Sequence, residues 1–215
     1  MPSPCLLPPL CSDEPLAPLN RPALWGMSLF AQLVPMTLNL TPQDQIASDE
    51  AEIENLLDAT FGSSRRVKTS YRLREGSVAA PHLSLVIRES GFGLVGAISF
   101  WPLFIGAAHA PALLLGPLAV HPDCQNLGIG RALMNEGISR AKRLGHKLII
   151  LIGDAPYYAR VGFAQVPEGQ IEVPGPVDPK RLLFLELQDG ALKQSGGLAL
   201  PPWRWLEISG PHATT

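Results

Sequence analysis

Cysteine is scarce in this chain and poorly placed for pairing. Only Cys5, Cys11 and Cys124 occur among 215 residues. No two stand in a CxxC spacing, so neither a disulfide framework nor a cysteine-based metal site is indicated. An odd count fits a reducing compartment. Charge is thin as well: 17% of residues are charged, against roughly 25% in ordinary soluble domains. Seventeen basic and 19 acidic residues leave a formal net charge of −2, which argues against binding nucleic acid through bulk positive charge. Long apolar runs are missing too. The longest, Ala110 to Val120, contains Pro111 and Pro117 and falls short of the ~18 residues that cross a bilayer. Near the N-terminus, Leu6 and Leu7 lack a basic flank and run into Pro8 and Pro9, so no signal-peptide core forms. The expectation is a soluble, cytoplasmic protein with no membrane or nucleic-acid partner and no metal.

Hydrophobic residues make up 46% of the chain, enough for one full core. Proline is plentiful but unevenly spread. Eight of the 22 prolines lie in residues 1–35, where they remove backbone donors and fix φ, so a mostly disordered extension is expected there. Met27 and Met36 are both plausible translation starts. A single domain is expected over 36–203, followed by a flexible tail over 204–215.

Within the domain, residues 36–40 alternate weakly and could form a first strand, closed by Thr41-Pro42. Asp49-x-x-Glu52 resembles a capping box ahead of Ile53, Leu56, Leu57 and Phe61 at helical spacing, with Gly62 as the stop. A basic polar segment follows, Arg65 to Arg74. Leu83–Arg88 and Gly93–Phe100 read as a hairpin around Glu89-Ser90-Gly91. Leu113–Val120 is a further strand. Gly128–Leu144 is an amphipathic helix, with Glu136 and Arg140 paired at i,i+4 and Gly145 as its left-handed end. Lys147–Ile152 reads as a strand buried on both faces. A short helix around Pro156–Val161, a strand after Phe163 and a last strand at Arg181–Leu187 complete the domain. Helices alternating with strands after hairpins indicate an α/β (α+β) domain with a mixed sheet.

The most informative stretch is Leu115 to Leu133, LGPLAVHPDCQNLGIGRAL. A strand runs into a double-glycine loop that opens a helix. Amides at a helix start lack intrahelical acceptors and the macrodipole adds positive potential, so such a loop suits an anion. Gly128 and Gly130 allow close approach to the backbone, and Arg131 adds charge. A Walker loop needs a lysine where Arg131 stands, and a dinucleotide fingerprint needs a third glycine where Leu133 stands. A bare turn serving only helix geometry is the remaining plain alternative.

Gln125-Asn126-Leu127-Gly128-Ile129-Gly130-Arg131 resembles the Q/R-x-x-G-x-G/A-R/K pyrophosphate loop of the GNAT acyltransferase superfamily. The preceding strand, the following helix and strand, and the Tyr158-Ala159-Arg160-Val161-Gly162-Phe163 segment (YxxxGF) agree with it. GDAPYYARVGF and LELQDGAL further resemble a bacterial subgroup of predicted N-acetyltransferases. The resemblance implies a mixed, mostly antiparallel central sheet with a splayed strand pair and flanking helices. It implies acetyl-CoA as acyl donor and a small-molecule or protein amine as acceptor, with a homodimer left open. Leu118, Ala119 and Val120 would offer main-chain contacts to the pantetheine arm, with an amide near Val120 as oxyanion donor. Gln125, Leu127, Gly128, Ile129, Gly130 and Arg131 would cradle the pyrophosphate. Tyr158 would be the general acid, with Tyr157 the adjacent alternative.

Several residues stay open. Pro117 suits a strand edge or a bulge. Asp154, where many relatives carry asparagine, reads better as a cap for the helix begun by Pro156 than as a ligand contact. Glu89, His82 and His121 are the candidates for a general base, with a water chain as an equal alternative. Residues 61–75 and the hairpin end near Trp101–His109 are expected to build the acceptor pocket, and Phe100, Trp101, Phe104 and Ile105 suggest an apolar wall there, with a packed loop as an equal alternative. No GxSxG elbow is present, and Cys124 reads as a small apolar residue. A non-catalytic acyl-CoA-binding or interaction domain that keeps the same cleft is the rival function.

Overall fold

The computed structural model describes residues 40–208. The proline-rich segment 1–35 and, apart from Leu40, the strand expected at 36–40 lie outside the described residues, as does the tail beyond 208. The chain runs β1 (Gln43–Asp44), α1 (Glu50–Phe61), α2 (Thr69–Arg72), β2 (Ser84–Glu89), β3 (Gly93–Ile105), β4 (Ala110–Val120), α3 (Ile129–Arg143), β5 (Leu148–Ile152), α4 (Ala155–Tyr158), β6 (Ala164–Gln165), β7 (Ile171–Glu172), β8 (Leu182–Glu186), β9 (Gly197–Leu200) and α5 (Pro202–Ile208). The main sheet has the order β1-β2-β3-β4-β5-β8-β6, with β9 on the far end of β3 and β7 on β9. All pairings are antiparallel except β4 with β5 and β7 with β9. This is the mixed, mostly antiparallel α/β sheet with flanking helices.

The layers follow from the strands' period of two. Leu113, Leu115, Ile149 and Leu151 join the core under α3, with Ile129, Leu133, Met134 and Ala141 of the helix. Their sequence neighbours Ala112, Leu114, Leu148 and Ile150 face a second core. The run LIILI is therefore apolar throughout because both of its faces are covered. A third cluster sets Leu56 and Leu57 of α1 against Val86, Leu94, Ala97 and Ala119. Helix α3 lies close on the sheet because a Cβ at Gly137 would stand 2.5 Å from Phe100 Cε2. Phe100 fills the space that a side chain at 137 would need, so it belongs to the core and forms no acceptor wall.

Helix ends follow the sequence closely for α3. Gly128 is a left-handed N-cap. At the other end Gly145 N–H donates to the Lys142 carbonyl at 3.1 Å and His146 N–H to the Ala141 carbonyl at 3.0 Å, a complete Schellman motif. Helix α1 starts differently from expectation. Asp49 makes no side-chain cap. Its carboxylate accepts from Ile46 N–H at 3.1 Å and pairs with Arg88 at 2.5 Å, and Glu52 pairs with the same guanidinium at 3.1 Å. Asp49 thus serves the backbone of the turn before α1 and, with Glu52, a distant arginine, so the expected Asp49–Glu52 capping box does not form at the start of α1. The C-terminal boundary also moves: α5 spans Pro202–Ile208, so a break between residues 203 and 204 falls inside a helix. Among the described residues no helix is long and apolar enough to cross a membrane.

Candidate functional site

The site begins where two parallel strands part. β4 pairs with β5 only at Leu113–Ile149 and Leu114–Ile150; from Leu115 onward its registered partner is β3 alone. Between Ile98–Leu118 and Phe100–Leu115, two steps along β3 span three along β4, so the extra residue lies at Gly116–Pro117. Proline is tolerated there because a bulge has no ladder bond for it to donate. The Gly116 carbonyl is taken instead by Trp101 Nε1–H at 2.6 Å.

Backbone alternation then decides which groups of β4 face the opening. His121 N–H donates to the Val95 carbonyl at 2.9 Å. In an antiparallel ladder the bonded pairs alternate, so Ala119 is turned to Ala97 while Leu118 and Val120 present their amides and carbonyls to the open edge. The Val120 carbonyl accordingly reaches the Thr60 hydroxyl at 3.3 Å and Gln125 Nε2 at 3.5 Å. The geometry therefore leaves Leu118 and Val120 for main-chain contacts. Ala119 differs from the sequence expectation, because its polar backbone is directed to β3 and its side chain is fully buried.

The loop after β4 gathers its amides at one point. Asn126 (φ 63) and Gly128 (φ 87) are both left-handed, which folds Gln125–Gly128 back over the start of α3. Ala132 N–H makes the first bond inside the helix, to the Gly128 carbonyl at 2.9 Å. The amides of Ile129, Gly130 and Arg131 precede it and have no acceptor inside the helix. Leu127 and Arg131 are exposed beside them, and Gln125 folds toward Val120. Cys124 is buried beneath the loop, and burial pushes its thiol pKa up, which suits an inert packing residue.

The two adjacent tyrosines occupy different places. A Cβ on Gly130 would collide with Tyr157 Oη, so this hydroxyl overlies the start of α3. Tyr158 packs edge-on against Phe163, 5.9 Å between ring centroids, and against Tyr157 at 5.1 Å. A Cβ on Gly153 would stand 2.8 Å from Tyr158 Cδ2, so glycine at the end of β5 is what admits this ring. Burial pushes the Tyr158 pKa up to about 12 and raises that of Tyr157. Asp154 precedes α4 without a side-chain cap; only its backbone carbonyl is used, by the amides of Tyr157 and Tyr158 at 3.1 and 3.2 Å. The exposed carboxylate stays on the rim of the cleft.

A cavity of about 600 Å³ runs between the open edge of β4 and the end of β5, lined by Gly116, Pro117, Leu118, Gly153, Tyr157 and Tyr158. A second, of about 830 Å³, lies beside it under α1 and α2. Arg65, Tyr71, Arg74 and Pro117 line both. Arg65 is the largest fully buried side chain among the described residues, 1% exposed. It donates to Glu54 at 2.5 Å, to Asp58 at 2.8 Å and to the Tyr71 hydroxyl. Burial works against its charge, but hydrogen bonds to Glu54, Tyr71 and Asp58 outweigh that and hold its pKa above the ordinary value. Sequence reasoning placed residues 61–75 at the acceptor pocket without singling out Arg65. A usable signal was present: Glu54 and Asp58, one turn apart on α1, offer a paired acceptor to whichever arginine follows.

The expected acceptor wall is only partly realised. Trp101 lines the larger cavity. Ile105 is buried in the second core and Phe104 is held in the ladder with β9, because the strand continues past residue 100. Of the three base candidates, His82 lines the larger cavity. Glu89 ends β2, and His121 packs edge-on against Phe92 at 6.0 Å; neither lines either cavity.

Comparison with known proteins adds to this geometry. The profile described as the acetyltransferase (GNAT) family matches residues 50–164. The uncharacterized N-acetyltransferase YjhQ of Escherichia coli K12 is 36% identical over 118 residues, 54% of this chain and 65% of that protein. The match thus spans slightly less than two thirds of that relative. The uncharacterized N-acetyltransferase YhbS of the same strain is 26% identical over 154 residues, 72% of this chain and 91% of that protein. A crystal structure of Escherichia coli YhbS in complex with CoA superposes with a TM-score of 0.65 at 25% identity, covering 76% of this chain and 90% of that one.

Proposed function

Because the chain belongs to the acetyltransferase (GNAT) family, with more than half of its length in the matched segment, we propose that it transfers an acetyl group from acetyl-CoA to a primary amine by direct attack. The observation that carries the reading is the alignment of the open β4 edge with the amide cluster at the start of α3, the two joined by one short loop. The crystal structure of YhbS in complex with CoA supports the same class of ligand. The cytoplasm, where acetyl-CoA is made and used, suits this activity.

The residues fit the donor's parts in turn. The amides of Ile129, Gly130 and Arg131, approached closely across Gly128, would hold the diphosphate, with Arg131 adding charge. Gln125 and Leu127 flank that cradle. Leu118 and Val120 would bond the amide-bearing pantetheine arm as an added strand would. The donor supplies an activated acyl carbon with a thiol leaving group. At that carbon the amide of Leu118 or Val120 donates to the oxygen as negative charge develops, already in place before the reaction.

Overall, the amine nitrogen bonds to the acyl carbon, the carbon–sulfur bond breaks, and free thiol and N-acetylated amine leave. The amine loses a proton to solvent, directly or through His82. Tyr158 gives one to sulfur. A phenol near 12 is a weaker acid than a thiol near 8.5 by roughly 3.5 pKa units, about 5 kcal/mol in water. The transfer works only while sulfur is equally desolvated, so Tyr158 acts chiefly by hydrogen-bonding the departing sulfur inside the closed cleft. Its raised pKa keeps the proton in place across the neutral range.

Thiol release from acetyl-CoA across an amine panel, with CoA binding measured by calorimetry, tests this reading. Tyr158→Phe is expected to lower kcat by about 100-fold or more with CoA affinity kept. Unchanged turnover removes Tyr158 from the chemistry. Tight CoA binding without turnover on any amine favours a non-catalytic acyl-CoA-binding domain.

A further inference from the structure

The turn between α2 and the hairpin carries two polar groups that the acyl-donor side leaves unused. Ser77 N–H donates to the Arg74 carbonyl at 3.1 Å, so one turn presents both side chains, and both line the 830 Å³ cavity. Ser77 Oγ is buried with no hydrogen-bond partner among the described residues. Arg74 lies flat on Tyr71, its Cζ 3.6 Å from the ring centroid, with Trp101 at 5.7 Å. Stacking occupies the faces of a guanidinium and leaves N–H edges available.

Three of the nearby carboxylates are already committed. Glu54 and Asp58 pair with Arg65, Glu54 also with Arg66, and Asp44 with Arg140. Among the described residues no carboxylate lies within ion-pair distance of Arg74. Burial lowers the Arg74 pKa, outweighing the opposing influence of Tyr71 and, more weakly, of Glu54. A half-buried cation without an ion-pair contact, beside a hydroxyl without a partner, is an incomplete set of interactions.

We propose that Arg74 and Ser77 complete that set with the acceptor's carboxylate, so that the acceptor is a small primary amine bearing a carboxylate. The proposal rests on the acetyl-transfer reading above. One guanidinium fork and one hydroxyl match the two oxygens and single charge of a carboxylate. A dianion fits less well, because Glu50 and Glu75 stand on the same rim. A polyamine fits least, since its second cation would meet Arg74. Arg74 also lines the smaller cavity with Tyr158, so an acceptor anchored there can direct its amine to the acyl carbon.

The test compares free amino acids with the matching amino-acid amides, which keep the amine and lose the negative charge. Acetyl transfer is followed by thiol release with the full chain, and binding of CoA alone by calorimetry. At least one amino acid is expected to exceed its amide by tenfold or more in kcat/KM. Arg74→Gln should remove that preference by raising KM about tenfold, with kcat, the amide's kcat/KM and CoA affinity within threefold of native. Ser77→Ala should act in the same direction by a smaller factor, and Arg74→Lys should recover part of the preference. Amides that serve as well as acids overturn the proposal, as does Arg74→Gln weakening both equally; the acetyl-transfer reading survives both results. Failure to bind CoA overturns that parent reading and this proposal with it.

Discussion

The proposed donor wall of the cleft, Leu113 to Phe163, takes its shape from the backbone, whereas the proposed acceptor wall, Glu50 to His82, takes its shape from side chains that meet from separate elements. On the donor side a bulge, a left-handed glycine and a helix start follow one another within one stretch of chain. On the acceptor side Arg65 draws Glu54, Asp58 and Tyr71 together, and the turn at Arg74–Ser77 is braced from the far end of the sequence. Trp203 Nε1–H donates to the Glu75 carbonyl at 2.8 Å, and Trp205 Nε1–H ties the same helix to the Phe104 carbonyl at 3.1 Å. A backbone-built wall fixes a constant ligand; a wall of side-chain pairs can differ among relatives without disturbing it.

The largest separation between the walls is expected from Gly128→Val. At φ 87 a β-branched residue costs about 1–2 kcal/mol and twists the amides away from their common point. Losing two charge-assisted hydrogen bonds of roughly 1.5–3 kcal/mol each predicts CoA binding at least 100-fold weaker. The melting temperature should fall only slightly. Unchanged CoA affinity breaks the claim that this wall works through its backbone.

Arg65→Met should show the opposite pattern. It leaves Glu54 and Asp58 without their shared cation, and both are about half exposed, which limits the loss to roughly 2–3 kcal/mol. Denaturant unfolding should report that loss, with CoA affinity near native and acceptor KM raised. Arg65→Lys should not restore stability fully, because one ammonium cannot reproduce a fork reaching three acceptors.

Alkaline pH sharpens the donor side further. The Tyr158 pKa is raised from 10 to about 12 by burial, so the folded state holds this proton more tightly than the unfolded chain does. Its contribution to stability is complete below pH 10 and disappears as pH rises through about 12. The melting temperature of the native chain should fall more steeply across that window than that of Tyr158→Phe. Equal slopes place the tyrosine in water. The smallest effect is expected from Trp203→Phe, which removes one hydrogen bond worth about 0.5–1.5 kcal/mol and raises acceptor KM without altering CoA affinity. A loss of CoA affinity in that variant breaks the separation of the two walls.

How much was legible in the sequence follows the same divide. The limits of α3, its glycine ends, the Glu136–Arg140 pair and the doubly buried β5 all depend on near neighbours in the chain. So does the expectation of a bulge or edge at Pro117. Where the sequence reading fails, local spacing did not decide the outcome. Asp49 and Glu52 serve Arg88 rather than the start of α1. Asp154 leaves its cap unmade, and residues 202–208 form a helix where a flexible end was expected. The YxxxGF segment singles out two tyrosines without separating them. Only packing puts one over Gly130 and the other against Gly153.

The sequence by itself determined a strand, a double-glycine bend and a helix in that order, because glycine at left-handed φ and apolar periodicity act within a few residues. Tertiary structure alone decided which amides of β4 face the opening, since ladder alternation depends on the register with β3. It also decided the acceptor wall. Ion pairs and stacked rings there join residues that are near in space only after the sheet has formed, and no spacing along the chain encodes that meeting.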